Sequence, residues 1–431
     1  MDKVIHSDKN ITSFGGLNFI FRAIKDKGLD TYLDYCLGHR NSCARYSHSD
    51  IILSLLGNCL VQGSFISDLE ILKAKYKGHF FDKIPSADTV EYVCKGLKTT
   101  VKKKPTGTGV THWINYSNAM NKSLVGLAVK SGLLEKRSKG GKGYTLDFDN
   151  VIIEHGKQDG MKTYKKTRGY HPNLAFVGRI PVHIENHNGN TPAQYGQCDT
   201  LKRCFNNLKK AGVRIHAFRA DAASYQKELI PLVEQHADNF YIRLNRCEKL
   251  YKQCGQVKEW QKVQINNISK EVASIEYQPF GQDRVYRAAM ERTPREDKQI
   301  DTTSGTAYDY YGILTNDSVK SAQEIIEFYN GRGDAENSNR YMLNDFNLHH
   351  LPFSDMGTNT VFMYLMAMCA TLFEWIKSVL ITNKVKAINS GMRVKAICFH
   401  YITTAATYIS HARKKVLKIF GNASTYFQLQ V

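Results

Sequence analysis

Residues 144–154 read YTLDFDNVIIE. Apolar and polar residues alternate and the β-branched share rises, so the stretch predicts a strand. It also marks a change of pattern. Upstream the periodicity is helical. Downstream, NLAFVGRIPVHIENHNG (173–189) predicts two strands around a tight turn at Gly178-Arg179. YGQCDTLKRCFNNLKKAG (195–212) predicts a helix closed by Gly212. VRIHAFRAD (213–221) is a strand, YQKELIPLVEQHA (225–237) a helix despite Pro231, and NFYIRL (239–244) a strand. Three strands followed by helix, strand, helix, strand require parallel crossovers. That order predicts an α/β layer fold with its site at the carboxyl ends of the strands.

Working outward, residues 1–100 predict a helical module. Phe19, Ile20, Ala23 and Ile24 share one helical face, Ser49 or Asp50 suits an N-cap, and Ser86 caps a further helix. Such a module suits DNA binding or protein interaction. Residues 101–143 predict a basic linker and a helix. KTTVKKKPTGTGVT reads as a loop carrying Lys102, Lys103 and Lys104, and EKRSKGGKGY as a second basic connection carrying Lys139 and Lys142. The α/β core runs over 144–245, a mostly β insertion over 246–312, a late helix of the core over 313–356, and a helical region over 357–431 that ends in the basic HARKKVLKIFG.

The 431 residues hold 59 Lys and Arg against 40 Asp and Glu, a formal charge of +19. A balance this basic points to a polyanionic partner, most often nucleic acid. Ten cysteines include no C-x-x-C pair, which argues against a zinc finger and for reduced thiols in a cytoplasmic protein. The N-terminus lacks the apolar core of a signal peptide. TVFMYLMAMCATLFEWIKSVLI approaches membrane-spanning length, but it holds Glu374 and Lys377 and has no companion span. It predicts a buried helix and no membrane partner.

Three acids stand out by position. Asp149 ends the first core strand, although Asp147 lies on the same face and pattern alone does not choose between them. Asp221 ends RIHAFRAD. Glu336 lies in RGDAENSNRYML (332–343), where Tyr329, Arg332, Glu336 and Arg340 fall within about one quadrant of a helix, with Gly331 and Gly333 interrupting its propensity. A strand-end Asp is ordinarily a turn or cap residue, and a Glu between arginines ordinarily a solvated ion pair. Converging carboxylates repel one another, however, and a divalent cation removes the conflict. Two Mg²⁺ ions held by Asp149, Asp221 and Glu336 would serve phosphoryl transfer, with Arg332 and Arg340 facing the phosphates.

The blocks LDFDN, KQDGMKTYKKTRGYHPNLAFVGRIPVHIENHNGNTPAQYGQCDTL, FRADAASYQKELI, YIRLN and YNGRGDAEN resemble a bacterial insertion-sequence transposase of the DDE class. Within that class the chain is similar to the piggyBac-related branch, which has a β-rich insertion before the final Glu. GGL, DLEIL, PSADTV and LPFSDMGTNTVF extend the likeness over most of the chain. The resemblance implies an RNase H-like mixed sheet core flanked by N-terminal and C-terminal helical regions. It implies Mg²⁺, with Mn²⁺ able to substitute, and double-stranded DNA as partner, both transposon ends and target. At least a homodimer would join two ends. It carries the catalytic and metal-binding roles onto Asp149, Asp221 and Glu336, and DNA contacts onto Tyr329 and Arg332. The related pattern expects Lys seven residues after Glu336, where this chain has Leu343, and Arg340 could substitute. Asn150-Val151 departs from the usual small-Thr pair. The rival expectations are a catalytically silent DNA-binding derivative and a Mg²⁺ nuclease without strand transfer.

Overall fold

The computed structural model describes residues 10–81, 83–136, 143–281, 284–297, 299–411, 414–421 and 424–427, without the side chains of 334–336, 410, 411, 414, 424 and 427. Lys139 and Lys142 therefore lie outside the described residues. The N-terminal region forms α1 (Leu17–Asp26), α2 (Leu29–Leu37), α3 (His48–Leu60), α4 (Leu69–Lys75) and α5 (Ala87–Leu97). Ser86 caps α5 through the Thr89 amide. The cap of α3 is Ser47, with Asp50 returning the bond to the Ser47 amide. Ser49 and Asp50, the caps expected from sequence, lie two and three residues further on, because Asp50 belongs to the box as its third helical position.

The stretch read as a loop at 101–110 contains an edge strand. β1 (Lys102–Pro105) pairs antiparallel with β2 (Thr111–Asn115), and β2 joins the main sheet. Lysines and a proline suit an outermost strand, since they deny its open edge to another chain. Helix α6 (Asn118–Ser131) follows. Then come β3 (Tyr144–Asn150), the short strands β4 (Ile153–Glu154), β5 (Met161–Lys162) and β6 (Arg168–Tyr170), and the hairpin β7 (Asn173–Val177) and β8 (Ile180–His187). Gly178 supplies the positive φ of that hairpin turn, at 59°. Helix α7 (Gln197–Lys210), β9 (Ile215–Ala220), α8 (Leu229–Glu234) and β10 (Ala237–Arg243) complete the crossovers.

Antiparallel β8-β7-β3 followed by parallel β9 and β10 is the RNase H-like arrangement. The insertion holds α9 (Glu248–Gly255), β11 (Gln261–Ile265), β12 (Ile268–Tyr277) and β13 (Tyr286–Pro294), and β14 (Tyr308–Thr315) returns to pair antiparallel with β10. The insertion thus prolongs the core sheet. Among the described residues the sheet has eleven strands in the order β1-β2-β8-β7-β3-β9-β10-β14-β13-β12-β11.

Helices α10 (Ala322–Asn330) and α11 (Gly333–Asn344) precede the 27-residue α12 (Met356–Thr382). The apolar stretch of α12 is long enough to cross a membrane, but it is packed inside the protein against α3, α5, α6 and β8. Its two charges satisfy each other: Lys377 Nζ lies 2.8 Å from Glu374, which also accepts from Tyr341 at 2.9 Å. One apolar cluster runs from Leu17 through α12 to Tyr426.

The expectation of helix to the end of the chain fails. After α13 (Val394–Ile397) the chain forms a hairpin of β15 (Ala405–His411) and β16 (Lys414–Phe420). Thr407, Tyr408, Ile409, Val416 and Ile419 favour extended backbone, and the basic residues between them carry no helical preference strong enough to override it. Thr12 and Ala406 exchange backbone hydrogen bonds at 2.9 Å and 2.9 Å, joining the two ends of the chain. A side chain on Gly16 would meet the Tyr401 carbonyl at 2.3 Å, so this closure requires glycine.

Candidate active site

β3 and β9 are parallel neighbours, with Asp147 opposite Arg219 and Phe148 opposite Ala220. Asp149 and Asp221 follow these pairs, so two carboxylates emerge side by side at the carboxyl ends of strands spaced about 4.8 Å apart. The period of two places Asp147 and Arg219 one layer below, on the same face.

In that layer the two acids differ in their partners. Asp147 is buried and holds Arg219 in a bidentate pair, Nε at 2.6 Å and Nη2 at 2.8 Å. The third Arg219 nitrogen donates to the Phe328 carbonyl at 2.7 Å, tying the end of α10 to the sheet. Gly331 permits this approach, because a Cβ there would lie 2.6 Å from Arg219 Nη1. Asp147 is thus committed to orienting an arginine beneath the site.

Asp149 faces α11. Arg332 Nη2 donates to its Oδ1 at 2.8 Å and Asn339 Nδ2 to its Oδ2 at 2.9 Å, while the Asn150 amide donates to Oδ1 at 3.0 Å. Asp221 is half-buried and accepts from the Ala223 amide at 3.0 Å, so it fills the turn-capping role that its position suggests. Tyr329 donates to the Ala220 carbonyl at 3.3 Å. Burial raises its pKa to about 12. The positive charges of Arg332 and Arg243 oppose that rise and the negative charges of Asp221 and Asp149 reinforce it. The phenol is therefore a neutral donor surrounded by these groups.

The helix bearing Tyr329 is not continuous with that bearing Glu336. α10 ends at Asn330, and Arg332 stands at the N-cap of α11 with helical φ −65° and ψ −21°. Helical phase is kept through the junction. Residue 336 lies one turn beyond Arg332 and three residues before Asn339, on the face that both use to reach Asp149. The Glu336 side chain itself lies outside the described residues. Arg340 is exposed.

Asn339 and Arg219 were not singled out from sequence. Asn339 stands seven residues after Arg332, a same-face spacing, but a lone Asn in a polar helix carries no other signal. Arg219 could have been found as the basic residue two before Asp221, matching Asp147 two before Asp149. Lys102, Lys103 and Lys104 sit exposed on the sheet edge, away from these acids in strand order. Lys102 Nζ lies 2.6 Å from the Tyr116 hydroxyl, and Lys103 Nζ lies 4.4 Å from the centre of the Trp113 ring.

The donor set bears on a metal. Asp149 and Asp221 offer the hard carboxylate oxygen atoms that a divalent cation such as Mg²⁺ takes. Among the described residues no group of three or more His, Cys, Asp or Glu forms a metal cluster. The third carboxylate would come from Glu336.

The family model for the group 1 transposase DDE domain matches residues 3–427. The chain belongs to that family. Among solved structures, this transposase is similar to a cryo-EM piggyBac transposase synaptic complex with hairpin DNA. The TM-score is 0.45 and the identity 9%, over 89% of this chain and 79% of that one. No curated protein matches it.

Proposed function

We propose that this transposase binds the terminal inverted repeats of its element, cleaves them in a Mg²⁺-dependent reaction, and joins the freed ends to target DNA. The observation that carries the reading is the grip of α11 on Asp149: Arg332 and Asn339 bind that carboxylate from either side of position 336 in the chain, and Asp221 stands on the neighbouring strand end. Asp149, Asp221 and Glu336 would hold the divalent ions, two by this reading, with Mn²⁺ able to replace Mg²⁺. Such ions, when bound, lower the pKa of an attacking water or 3′-hydroxyl and stabilise the leaving oxygen.

The chain's own groups do the rest. Arg332 lies within reach of Asp149, so its planar guanidinium can turn to a non-bridging phosphate oxygen and hold it in two hydrogen bonds. Asn339 keeps Asp149 in place when the arginine leaves. Tyr329, neutral at working pH, donates a hydrogen bond and adds no charge. Arg219 and Asp147 hold the floor. Arg340 and the lysines 102–104, together with Lys139 and Lys142, supply phosphate contacts along the DNA. Joining two ends calls for a dimer or larger assembly.

The test is a supercoiled donor plasmid carrying the element's ends, with a second plasmid as target. Cleavage and joining with Mg²⁺, lost in Asp149→Asn and Asp221→Asn, is the expected result. Cutting without joining would leave a nuclease, and binding without cutting a silent derivative.

A further inference from the structure

The hairpin Met161–Tyr170 has a construction that the catalytic reading leaves unexplained. β4, β6 and β5 form a small sheet beside the main one, in that order. Arg168 donates twice to the Gly160 carbonyl, at 3.1 and 2.9 Å. Tyr170 donates to Asp159 at 2.7 Å, and Asp159 in turn accepts from the Met356 amide at 2.5 Å, at the start of α12. Gly169 and Gly189 pack backbone on backbone: a Cβ on Gly189 would meet the Met161 carbonyl at 2.2 Å. The base of the hairpin is therefore rigid.

Its tip is different. Thr163 and Thr167 close a three-residue loop, Tyr164-Lys165-Lys166, by a backbone bond of 2.7 Å. Lys166 has φ 68°, at the position where such loops take glycine. The chain keeps a long cation where a side chain costs backbone strain, and strain of this kind points to function. Tyr164 is 73% exposed, and Lys162, Lys165 and Lys166 around it are exposed too. The Tyr164 ring stands beside buried His171, with centroids 5.8 Å apart and planes tilted by 55°. His171 is within electrostatic reach of both Asp221 and Lys165. Two residues further on, Asn173 pairs with Asn150, next to Asp149. An aromatic ring with an open face, set among cations on a rigid stalk beside the carboxylates, is the arrangement that binds nucleic acid by stacking and phosphate contact.

We infer that this hairpin is a finger that grips the DNA end at the site: Tyr164 stacks on a base left unpaired there, and Lys165 and Lys166 hold the flanking phosphates. A paired base inside a duplex has no free face, so the ring selects a frayed, flipped or overhanging nucleotide. The inference rests on the proposed DNA-processing function for the nature of the partner.

The probe is a duplex with a short single-stranded overhang carrying 2-aminopurine, whose emission is quenched on stacking. The full-length protein is expected to quench it. Tyr164→Ala should bind the fully paired duplex as the parent does, bind the overhang roughly tenfold more weakly, and lose the quenching. Tyr164→Phe should retain it. Lys166→Gly relieves the strained φ, so it should melt later yet bind with a salt slope shallower by about one. Parent-like quenching in Tyr164→Ala, or none in the parent, overturns the finger, as does parent-like affinity in Lys166→Gly. A protein that quenches but never cuts a donor plasmid keeps the finger and sinks the cleavage reading. One that cuts normally as Tyr164→Ala with quenching intact does the reverse.

Discussion

Asp147 and Asp149 are two residues apart on one strand face, yet they hold different arginines, Arg219 and Arg332. Removing the charge of Asp147 strands a buried Arg219, a loss that typically costs about 3–5 kcal/mol. Asp147→Asn is therefore expected to melt markedly earlier. Asp149→Asn likewise leaves buried Arg332 without this carboxylate, so it too should melt earlier, and the two acids differ in cleavage, which folded Asp147→Asn should retain. Cleavage should vanish in Asp149→Asn. Thermal melting beside plasmid cleavage checks both, and the reverse pattern would exchange the two assignments. Arg332 is the second case. Its Asp149 contact makes it either a structural clasp or a phosphate ligand. Arg332→Ala should lose about 10²–10³ in single-turnover rate at saturating DNA. Arg332→Lys should recover only part, since it lacks the planar fork. A normal rate with early melting would make the arginine structural. The carboxylate positions were legible because strand ends and period two are local signals. Their bonding partners were not, because Arg219–Asp147 and Asn339–Asp149 link residues 72 and 190 apart.

At the scale of elements, the core order could be read because each strand and helix carried its own periodicity and stop signal. The two hairpins read as linker and helix could not. β1 is four exposed residues held by pairing with β2 and by lysine contacts to Tyr116 and Trp113, and β15–β16 depends on contact with the opposite end of the chain. The β1 edge should act through charge. Replacing Lys102, Lys103 and Lys104 with glutamine is expected to weaken binding to all DNA sequences alike and to flatten the salt dependence by about one unit of slope per lost phosphate contact. A titration of affinity against salt measures this, and an unchanged slope would leave these lysines as edge protection. The joint between β8 and α7 is Glu185, held by Arg203 Nη2 at 2.8 Å to each oxygen, with His187 at 3.5 Å and His183 at 3.7 Å. Burial pushes the Glu185 carboxyl up, but the two imidazoles and the guanidinium outweigh it and hold it far below the usual carboxylate range. A depressed folded pKa stabilises the protein above the ordinary carboxylate pKa and ceases to do so as pH falls toward the folded value. Melting of Glu185→Gln should therefore vary less with pH on the acid side than melting of the parent. An equal slope would show that the joint does not titrate with folding.

For the whole molecule, the N-terminal helices and the last third of the chain share one apolar cluster around α12. The helical region at 1–100 is thus not a separable body in terms of its core. A chain ended at Asp355 retains Asp149, Asp221 and Glu336 but lacks α12. It is expected to be insoluble or to lack a cooperative melt, and a well-folded product of that length by circular dichroism and melting would refute the shared core.

The position of α12 also sets the order of events at the ribosome. Helices α3 and α5 are made early, yet α12, which they pack against, emerges roughly 300 residues later, which at about 5–20 residues per second is on the order of 15–60 s. Throughout that interval the side of α3 and α5 that α12 covers stays open, whatever contacts the N-terminal helices make among themselves. Nascent chains would expose that surface to chaperones and proteases until synthesis is nearly finished. A transposase would in this way close its core only after Asp149, Asp221 and Glu336 have all been made.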